Sequence, residues 1–393
     1  MTALMKTPLT RRDFIKTTAL AGAGVSLIPS ALPAAAVAPK ADTFSFVLLG
    51  DLHFDRPAHH NMTWLKENKP DDFRQSQNYS RITAEMLPRL FATVRETITE
   101  LNRSPETRVA LVLQAGDLVE GLCGSEELAA RQNVEALEFI RLANLGAPFL
   151  FTKGNHDVTG PGALEAFGRV FHPFLAAEAQ KVTSGSAGLK SARYTVEAGN
   201  AQFVFFDAYD GESLAWFESV VARRSARHLF VAIHPPVVPY GARAAWYLYS
   251  GAKDRSRREK LLELLAREQA VVLGGHIHKF NALVRSAGRG RFAQLAVCSV
   301  IDAPEVKAKD ILSGISQYNG DQIRVESNHS PGTELERRAI YAVEHPFVRQ
   351  FEYADLPGYA VVRVNGAKVE ATIYSGITRQ LWKAINMSKW LVG

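Results

Sequence analysis

The feature that most constrains this chain is a set of five apolar runs, most of which lead directly into short polar segments. Near-continuous apolar runs of this length are typical of strands that are buried on both faces. In an open α/β sheet, ligands bind just beyond the carboxyl ends of the strands, so side chains that are distant in sequence converge there. The five runs are residues 44–49, 109–113, 148–151, 228–233 and 270–273. We therefore expect the polar segments after these runs to meet at one edge of a sheet.

The polar segments at these strand ends carry side chains that bind metals. They are Asp51-Leu52-His53, Gly116-Asp117, Gly154-Asn155-His156-Asp157, His234 and Gly275-His276-Ile277-His278. Imidazoles mixed with carboxylates and an amide, without a thiolate, favour two divalent ions such as Mn, Fe, Zn or Co. A calcium cage would use oxygen ligands instead of this many histidines. The glycines before the ligands allow the backbone to turn sharply and to approach an ion closely.

The order of these motifs, D-x-H, G-D, G-N-H-D, H and G-H-x-H, resembles that of the calcineurin-like metallophosphoesterases over residues 44–280. The resemblance implies an α/β fold, a layered α-β-β-α sandwich of two mixed sheets flanked by helices, with a dimetal site at the carboxyl ends of the strands. It also implies a metal-dependent hydrolase of phosphodiesters or phosphomonoesters, in which a metal-bound hydroxide attacks phosphorus.

The same resemblance implies a role for each polar residue. The first ion would be held by Asp51, His53, Asp117 and His278, and the second by Asp117, Asn155, His234 and His276, with Asp117 as the bridge. His156 would contact a phosphoryl oxygen or protonate the leaving group. Asp157 would orient His156 through a hydrogen bond. The residues alone leave open a different role for Asp157, as the N-cap of a following helix.

Two other functions remain open from the sequence. One is a nuclease of the same superfamily, although the chain has no basic stripe that would bind a nucleic acid. The other is a non-catalytic metal-binding scaffold, although His156 and all the ligand positions are present. Purple acid phosphatases have a tyrosine ligand shortly after the G-D motif. Residues 118–120 contain no tyrosine, so a di-iron site of that kind is not expected.

The N-terminus resembles a twin-arginine export signal. Arg11 and Arg12 precede a short, weakly apolar stretch at residues 17–28, and an alanine-rich run follows that contains Ala36-Val37-Ala38. We predict a cleaved signal at residues 1–36, an enzyme domain at residues 37–393, and export by the twin-arginine machinery to the periplasm or the cell exterior. The alternative is an amphipathic helix or a retained anchor. The stretch is too short and too rich in Gly and Ala for a stable membrane span.

The resemblance implies a small phosphoester substrate, and the composition agrees with a globular enzyme. Hydrophobic residues make up 47% of the chain and charged residues 22%, which is enough for a sizeable core. The net charge is +6, and about half of the excess lies in the predicted signal. The remaining charge is too small to indicate nucleic-acid binding. The two cysteines, Cys123 and Cys298, could pair after export, and the sequence leaves this open.

Several other segments are expected to shape the fold and the pocket. Helices are predicted at residues 83–101, with a kink at Pro88, and at 126–145, and strands at 280–284, 292–300 and around a turn in 359–374. Residues 54–78 are expected to form a long loop in which His59 and His60 are exposed, and residues 303–350 a polar surface insertion. Lys153 is either a surface residue or a positive charge near the metals. The aromatic residues at 240–249 could stack on a substrate or cover the core.

Overall fold

The framework of the protein consists of two mixed β-sheets, in a computed structural model that describes residues 42–183, 189, 191–321 and 334–392. The predicted signal at residues 1–36 lies outside the described residues. The strands are β1 (Thr43–Leu49), β2 (Val109–Gln114), β3 (Phe149–Phe151), β4 (Tyr194–Ala198), β5 (Ala201–Phe205), β6 (His228–Ala232), β7 (Val271–Gly274), β8 (Phe280–Ala287), β9 (Gly290–Ala296), β10 (Lys309–Ser313), β11 (Val348–Asp355), β12 (Gly358–Asn365), β13 (Lys368–Ser375) and β14 (Gln380–Asn386).

Helices occupy much of the sequence between these strands. They are α1 (Met62–Asn68), α2 (Pro70–Glu85), α3 (Leu87–Leu101), α4 (Glu126–Ala143), α5 (Ala163–Val182), α6 (Ser213–Val221), α7 (Arg255–Arg267), α8 (Glu334–Glu344) and α9 (Met387–Val392). Single 3-10 turns occur at Pro57–His59, His156–Val158, Ala252–Asp254, Ile315–Gln317 and His345–Phe347.

The strands that precede the predicted ligands are parallel neighbours within their sheets. The six-stranded sheet has the order β14-β13-β12-β1-β2-β3, and β1, β2 and β3 run parallel. The eight-stranded sheet has the order β10-β11-β8-β9-β7-β6-β5-β4, and β5, β6, β7 and β9 run parallel. Parallel neighbours end on the same side, so each sheet brings its polar segments together at one edge.

The two sheets face each other across an aromatic core. The ring of Phe46 on β1 lies 5.1 Å from that of Phe203 on β5 and 4.9 Å from that of Phe230 on β6. Helices cover the outer faces, as the contact between Phe171 of α5 and Phe151 of β3 shows for the smaller sheet. On the larger sheet, α6 and α7 pack in a second apolar cluster. The predicted α/β sandwich of two mixed sheets flanked by helices is confirmed.

Most predicted elements are present, but the region after the first ligands differs. The five apolar runs form β1, β2, β3, β6 and β7, and the predicted C-terminal hairpin is formed by β12 and β13. The helix predicted at 83–101 is divided at Met86 into α2 and α3, with Pro88 in the first turn of α3, where proline is tolerated. The prediction of a long loop at residues 54–78 is wrong, because most of this segment is helical: Asn61 caps α1 and Pro70 begins α2.

The region predicted as a polar insertion contributes to the larger sheet. β10 pairs with β11 in antiparallel fashion, and β11 pairs with β8. Within the described residues, α8 follows β10 and precedes β11. None of the helices in the described ranges has both the length and the apolar character needed to cross a membrane.

Candidate dimetal site

The predicted ligands come together in three overlapping groups at the strand ends. Ligand atoms within each group all lie within 4.8 Å of one another, and the groups are Asp51–His53–His278, His53–Asp117–His156 and Asp117–His234–His276. Asp117 follows β2 and belongs to two of the groups, so it connects residues from both sheets. The groups bring six of the predicted ligands and His156 together, and the assignment of ligands to two ions stays a prediction.

The first ligand group is centred on two imidazole nitrogens. Nε2 of His53 lies 3.0 Å from Nε2 of His278 and 3.8 Å from Oδ2 of Asp117. Nε2 of His278 lies 3.5 Å from Oδ1 of Asp51. Asp51 is fully buried, and its two oxygens accept hydrogen bonds of 2.9 and 3.0 Å from the backbone N–H of His276. This group therefore draws on residues that follow β1, β2 and β7.

The second ligand group is centred on His234, which follows β6 and is fully buried. Its Nε2 lies 3.0 Å from Oδ2 of Asp117, 3.2 Å from Oδ1 of Asn155 and 3.2 Å from Nδ1 of His276. The same oxygen of Asp117 thus faces the Nε2 atoms of both His234 and His53. This geometry suits a carboxylate that bridges two ions.

Hydrogen bonds on the far side of the imidazoles set their tautomers. Nδ1 of His234 lies 2.8 Å from the carbonyl oxygen of Ala115, which only accepts, so Nδ1 carries a hydrogen and Nε2 is the nitrogen that an ion would bind. Nδ1 of His53 lies 2.6 Å from Oε2 of Glu120. A histidine that donates to a carboxylate in this way is a stronger metal ligand, because its orientation and tautomer are fixed.

Electrostatics favour the ligating form of three predicted ligands and oppose it at a fourth: burial would lower the pKa of His234, but Asp117 raises it to about 9, so an ion would have to displace a proton there. Burial, followed by the charges of His156 and His278, holds the pKa of His53 well below its ordinary value. Burial and the charge of His234 lower the pKa of His276 to about 3. Burial alone would raise the pKa of Asp51, but His278 and His234 lower it to about 2. Near neutral pH, His53, His276 and Asp51 are therefore neutral imidazoles and an ionised carboxylate, which are the forms that ligate.

Four of the predicted ligands have a left-handed backbone conformation. The φ angles are +47° at His53, +54° at Asp117, +73° at His276 and +56° at His278. Residues with a Cβ rarely adopt this region, and such strain collects at functional sites. The backbone is held there by long-range hydrogen bonds, including those of 3.0 Å from the N–H groups of Leu52 and His53 to the carbonyl of Asp117.

Glycines allow the ligand loops to pack against one another. A Cβ at Gly154 would lie 2.1 Å from both the backbone nitrogen and Oδ1 of Asp117, and a Cβ at Gly275 would lie 2.5 Å from Oδ2 of Asp51. Neither position has room for a side chain. These glycines permit the close approach of the carboxylates of Asp117 and Asp51, while the expected approach of the backbone to an ion stays a prediction.

His156 lies at the edge of the site and is held by Glu120 and Asp117, whereas Asp157 was the predicted partner. Its side chain is 19% exposed, its Nδ1 lies 2.8 Å from the carbonyl oxygen of Glu120, and its backbone N–H donates to Oδ1 of Asp117 at 2.8 Å. Because the carbonyl only accepts, Nδ1 is protonated and Nε2 is the atom available for proton transfer. The carbonyl of Glu120 therefore orients the ring.

Both expectations for Asp157 were wrong. Its carboxylate accepts hydrogen bonds from the backbone N–H groups of Asp117, Val119 and Gly154, at 3.1, 3.0 and 2.7 Å. In the described structure, its hydrogen-bond partners do not include the ring of His156. It also lies in a 3-10 turn, and the next helix, α5, has Gly162 as its N-cap. Asp157 instead ties the loop after β2 to the loop after β3.

Glu120 is the buried residue at the site that sequence analysis missed. Its Oε2 contacts Nδ1 of His53, while Oε1 has no hydrogen-bond partner among the described residues. Burial, followed by the charges of Asp55 and Asp117, raises the pKa of Glu120 well above its ordinary value. A buried acid three residues after Asp117 was a usable signal, since buried carboxyl groups are rare unless they are paired.

The histidine pair after β1 is buried, contrary to expectation. His59 is 0% exposed and His60 is 7% exposed. Nε2 of His60 lies 2.7 Å from Oδ1 of Asp55, and Nε2 of His59 lies 3.0 Å from Oε2 of Glu135 on α4. These imidazoles anchor the turn after the first ligands, because each has a carboxylate partner.

Two further questions left by the sequence are answered near the site. Lys153 is buried and forms an ion pair with Asp207, with Nζ 2.6 Å from Oδ2. The pair links the loop after β3 to the loop after β5. Tyr209, which also lies in the loop after β5, is 42% exposed. Cys123 and Cys298 are both buried and both free.

The arrangement of donors fits a pair of divalent ions. Two ligand atoms bound to one ion at about 2.1 Å lie about 3.0 to 3.4 Å apart. The pair of Nε2 atoms of His53 and His278, at 3.0 Å, and the pair of His234 Nε2 and Asn155 Oδ1, at 3.2 Å, fall in this range. Neutral nitrogens and ionised oxygens without a thiolate suit borderline first-row ions.

The fold is similar to those of several solved structures of low sequence identity. The chain resembles a purple acid phosphatase from yellow lupin (Lupinus luteus) seeds, with 12% identity, a TM-score of 0.48 and coverage of 89% of this chain and 54% of that one. It resembles PhoD with 12% identity, a TM-score of 0.48 and coverage of 89% and 70%. It resembles a dimetal phosphatase from Danio rerio with 13% identity, a TM-score of 0.47 and coverage of 88% and 99%. The chain thus spans about half the length of the lupin protein.

A search of curated protein sequences gave no significant match. A family model described as calcineurin-like phosphoesterase matches residues 44–280, which is more than half of the chain. These residues contain every predicted ligand and His156. The chain belongs to the calcineurin-like phosphoesterase family.

Proposed function

We propose that this protein hydrolyses phosphodiesters or phosphomonoesters with two divalent ions. Family membership supports hydrolysis of a phosphoester. The observation that carries the proposal is the position of Asp117, whose Oδ2 lies 3.0 Å from Nε2 of His234 and 3.8 Å from Nε2 of His53. One carboxylate oxygen thus connects two complete sets of metal-binding side chains.

The chain would hold each ion with side chains from both sheets. Asp51, His53, Asp117 and His278 would hold the first ion, and Asp117, Asn155, His234 and His276 would hold the second. Bound ions would activate a water molecule and neutralise charge on the phosphoryl oxygens. The hydrogen bonds from His53 to Glu120 and from His234 to Ala115 would keep the ligand nitrogens aimed at the site.

His156 is the proton donor in this proposal. With Nδ1–H held by the carbonyl of Glu120, the doubly protonated ring can give its Nε2 proton to the departing oxygen, or hydrogen-bond the phosphoryl group, and is left neutral. The backbone N–H of His156 donates to Asp117, so the donor is fixed relative to the bridging ligand. Pre-alignment of this kind lowers the entropic part of the barrier.

The test is hydrolysis of 4-nitrophenyl phosphate and bis(4-nitrophenyl) phosphate by purified protein loaded with Mn, Zn or Fe. The variant His156→Ala should retain both ions and lose about 10²- to 10⁴-fold in turnover. His345→Ala changes an exposed histidine outside the predicted ligand and proton-donor set and serves as the control. Equal turnover by wild type and His156→Ala would refute the role of His156.

The same experiment separates the alternatives. A preference for the diester would identify a phosphodiesterase, and a preference for the monoester would identify a phosphatase. If wild type with two bound ions hydrolyses neither compound, the phosphoesterase proposal fails and a scaffold function is favoured. Cleavage of DNA at a comparable rate would favour a nuclease.

We also propose that the protein is exported by the twin-arginine route to the periplasm or the cell exterior. The proposal is supported by Arg11 and Arg12 ahead of a weakly apolar stretch and an alanine-rich run. Replacing both arginines with lysine should leave the protein in the cytoplasm, because this route is read through the arginine pair. Lys16→Arg is the matched control, and normal export of the double lysine variant would contradict the proposal.

A further inference from the structure

We propose that Trp246 determines the specificity of this site by binding a flat aromatic substituent of a phosphodiester substrate. This inference rests on the proposed phosphoesterase function and adds a substrate class to it. Trp246 lies in the segment that follows His234. Its indole centroid lies 5.6 Å from the ring centroid of His276, with the two planes tilted by 42°. A residue in the second ligand group therefore has an aromatic neighbour.

Trp246 is 37% exposed, unlike the other aromatic residues of its segment, which have packing roles. Tyr240 is 1% exposed, and its hydroxyl donates to the carbonyl of Gly275 at 3.4 Å. The rings of Tyr247 and Tyr249 lie under the guanidinium groups of Arg258 and Arg257, at 4.3 and 4.4 Å. These three tyrosines are buried or half-buried, whereas Trp246 combines the greatest exposure in the segment with a position beside a predicted ligand.

The indole of Trp246 is held in place although it is partly exposed to solvent. Cζ of Arg243 lies 4.7 Å from its centroid, and the backbone N–H of Trp246 donates to the carbonyl of Arg243 at 2.9 Å. A guanidinium stacked on an indole restrains both groups. An indole fixed beside a metal ligand is ready to stack on a planar ring, because little ordering entropy is lost on binding. The cation also suits a substrate that carries a phosphate.

The position of Trp246 indicates which part of the substrate it would contact. His156 lies with His53, at 4.7 Å between ring centroids, whereas Trp246 lies with His276. Asp117 connects these two groups. If the departing oxygen meets His156, the substituent that stays on phosphorus is directed toward Trp246. A phosphomonoester has no such substituent, so the site favours diesters whose retained group is a flat ring, such as an aryl or a nucleobase-bearing group.

The experiment compares phenyl 4-nitrophenyl phosphate with methyl 4-nitrophenyl phosphate in the metal-loaded protein. Both esters release the same nitrophenolate, so they differ only in the retained substituent. Wild type should prefer the phenyl ester in kcat/KM, and Trp246→Ala should lower the phenyl-to-methyl ratio by about tenfold, which is the size of a lost stacking contact. Trp246→Phe should keep most of the preference, because it retains a ring.

Two controls make the result specific. Phe347→Ala removes a ring that is 43% exposed and lies 4.8 Å from Cζ of Arg285, a similar setting away from the ligand loops, and it should leave the ratio unchanged. Calorimetric titration with phenylphosphonate and methylphosphonate gives a readout that does not depend on turnover. Wild type should bind the phenyl compound more tightly, and Trp246→Ala should lose that difference. Trp246→Leu provides the same test if the alanine variant does not fold.

The outcomes distinguish this inference from the proposed function. A phenyl-to-methyl ratio that is unchanged in Trp246→Ala, or a wild type without a preference, overturns the role of Trp246 and leaves phosphoester hydrolysis intact. A wild type that holds two ions and hydrolyses neither ester overturns the proposed function, and the role of Trp246 falls with it.

Discussion

Replacing Gly275 with alanine should remove the first ion while the fold persists. The added Cβ would lie 2.5 Å from Oδ2, 3.1 Å from Cγ and 3.3 Å from Oδ1 of Asp51. Ordinary van der Waals contact begins at 3.4 Å. The carboxylate would therefore have to move by about 0.9 Å, because protein interiors have few voids that could absorb the overlap.

Asp51 has little freedom to make this movement and remain a ligand. It is fully buried, and both of its oxygens accept from the N–H of His276, the residue next to the substitution. Metal sites tolerate deviations of about 0.2 Å in ligand distance, so a shift of about 0.9 Å removes Asp51 from the coordination sphere. We expect the affinity for one of the two ions to fall at least about 10- to 100-fold. The overlap itself should cost about 1–3 kcal/mol of stability.

The assay is equilibrium dialysis against buffered Mn or Zn, followed by measurement of bound metal per chain. Wild type should bind two ions and Gly275→Ala one. Gly211→Ala is the matched control, because a Cβ there meets nothing within 4 Å, and it should bind two. Thermal unfolding checks that each variant is folded. If Gly275→Ala binds two ions with unchanged affinity, Asp51 is not a ligand and the assignment of the first site is refuted.

Three further substitutions test the surroundings of the site. Glu120→Gln keeps an acceptor for the ligand imidazole 2.6 Å away but replaces the carboxyl group with an amide that orients the ring less firmly, so metal affinity should fall about tenfold in the same dialysis, and unchanged affinity would contradict the role. Lys153→Met leaves the buried carboxylate of Asp207 unpaired, so the free energy of unfolding in urea should fall by about 3 kcal/mol, and a loss below about 1 kcal/mol would refute this. Burial lowers the pKa of His60, but the hydrogen bond to Asp55 raises it on balance above 6.5. The stability from this pair is complete below the ordinary pKa and is lost as pH rises through the raised one, so Tm should drop more in wild type than in His60→Gln between about pH 6 and about pH 9, and parallel curves would exclude it.

The sequence was sufficient where the information is local. An apolar run of four to six residues followed by glycine and a polar residue describes a buried strand and its end without reference to any other part of the chain. Parallel order then brings such ends together, and the ligands that follow β1, β2, β3, β6 and β7 meet as expected. The chemistry of the donors could also be inferred, because His, Asp and Asn without Cys select one class of metal.

The sequence was insufficient where a residue's partner is distant. His59 and His60 lie in a polar stretch and seemed exposed, but their carboxylate partners include Glu135 on α4. Asp157 is close to His156 in sequence, which suggested contact, yet its donors come from two loops that only the fold brings together. Local polarity suggests exposure for the histidine pair, and closeness in sequence suggests contact for Asp157, but in both cases pairing across the fold decides the outcome. The helices in residues 54–78 were different, because Asn61 as a cap and Pro70 at a helix start were readable signals.

The backbone at the ligands explains why the site exists only in the folded protein. His53, Asp117, His276 and His278 have left-handed φ angles, and each costs about 1–2 kcal/mol for a residue with a Cβ. The unfolded chain would not present its ligands in this geometry. The cost is met by long-range bonds such as those that the carbonyl of Asp117 accepts from Leu52 and His53. Binding of the proposed ions would therefore be coupled to folding, and bound metal should raise the stability of the protein. The proposed export route carries folded proteins, so the chain would acquire its ions in the cytoplasm, before it crosses the membrane. The metals available in the cytoplasm would then decide which ions it binds.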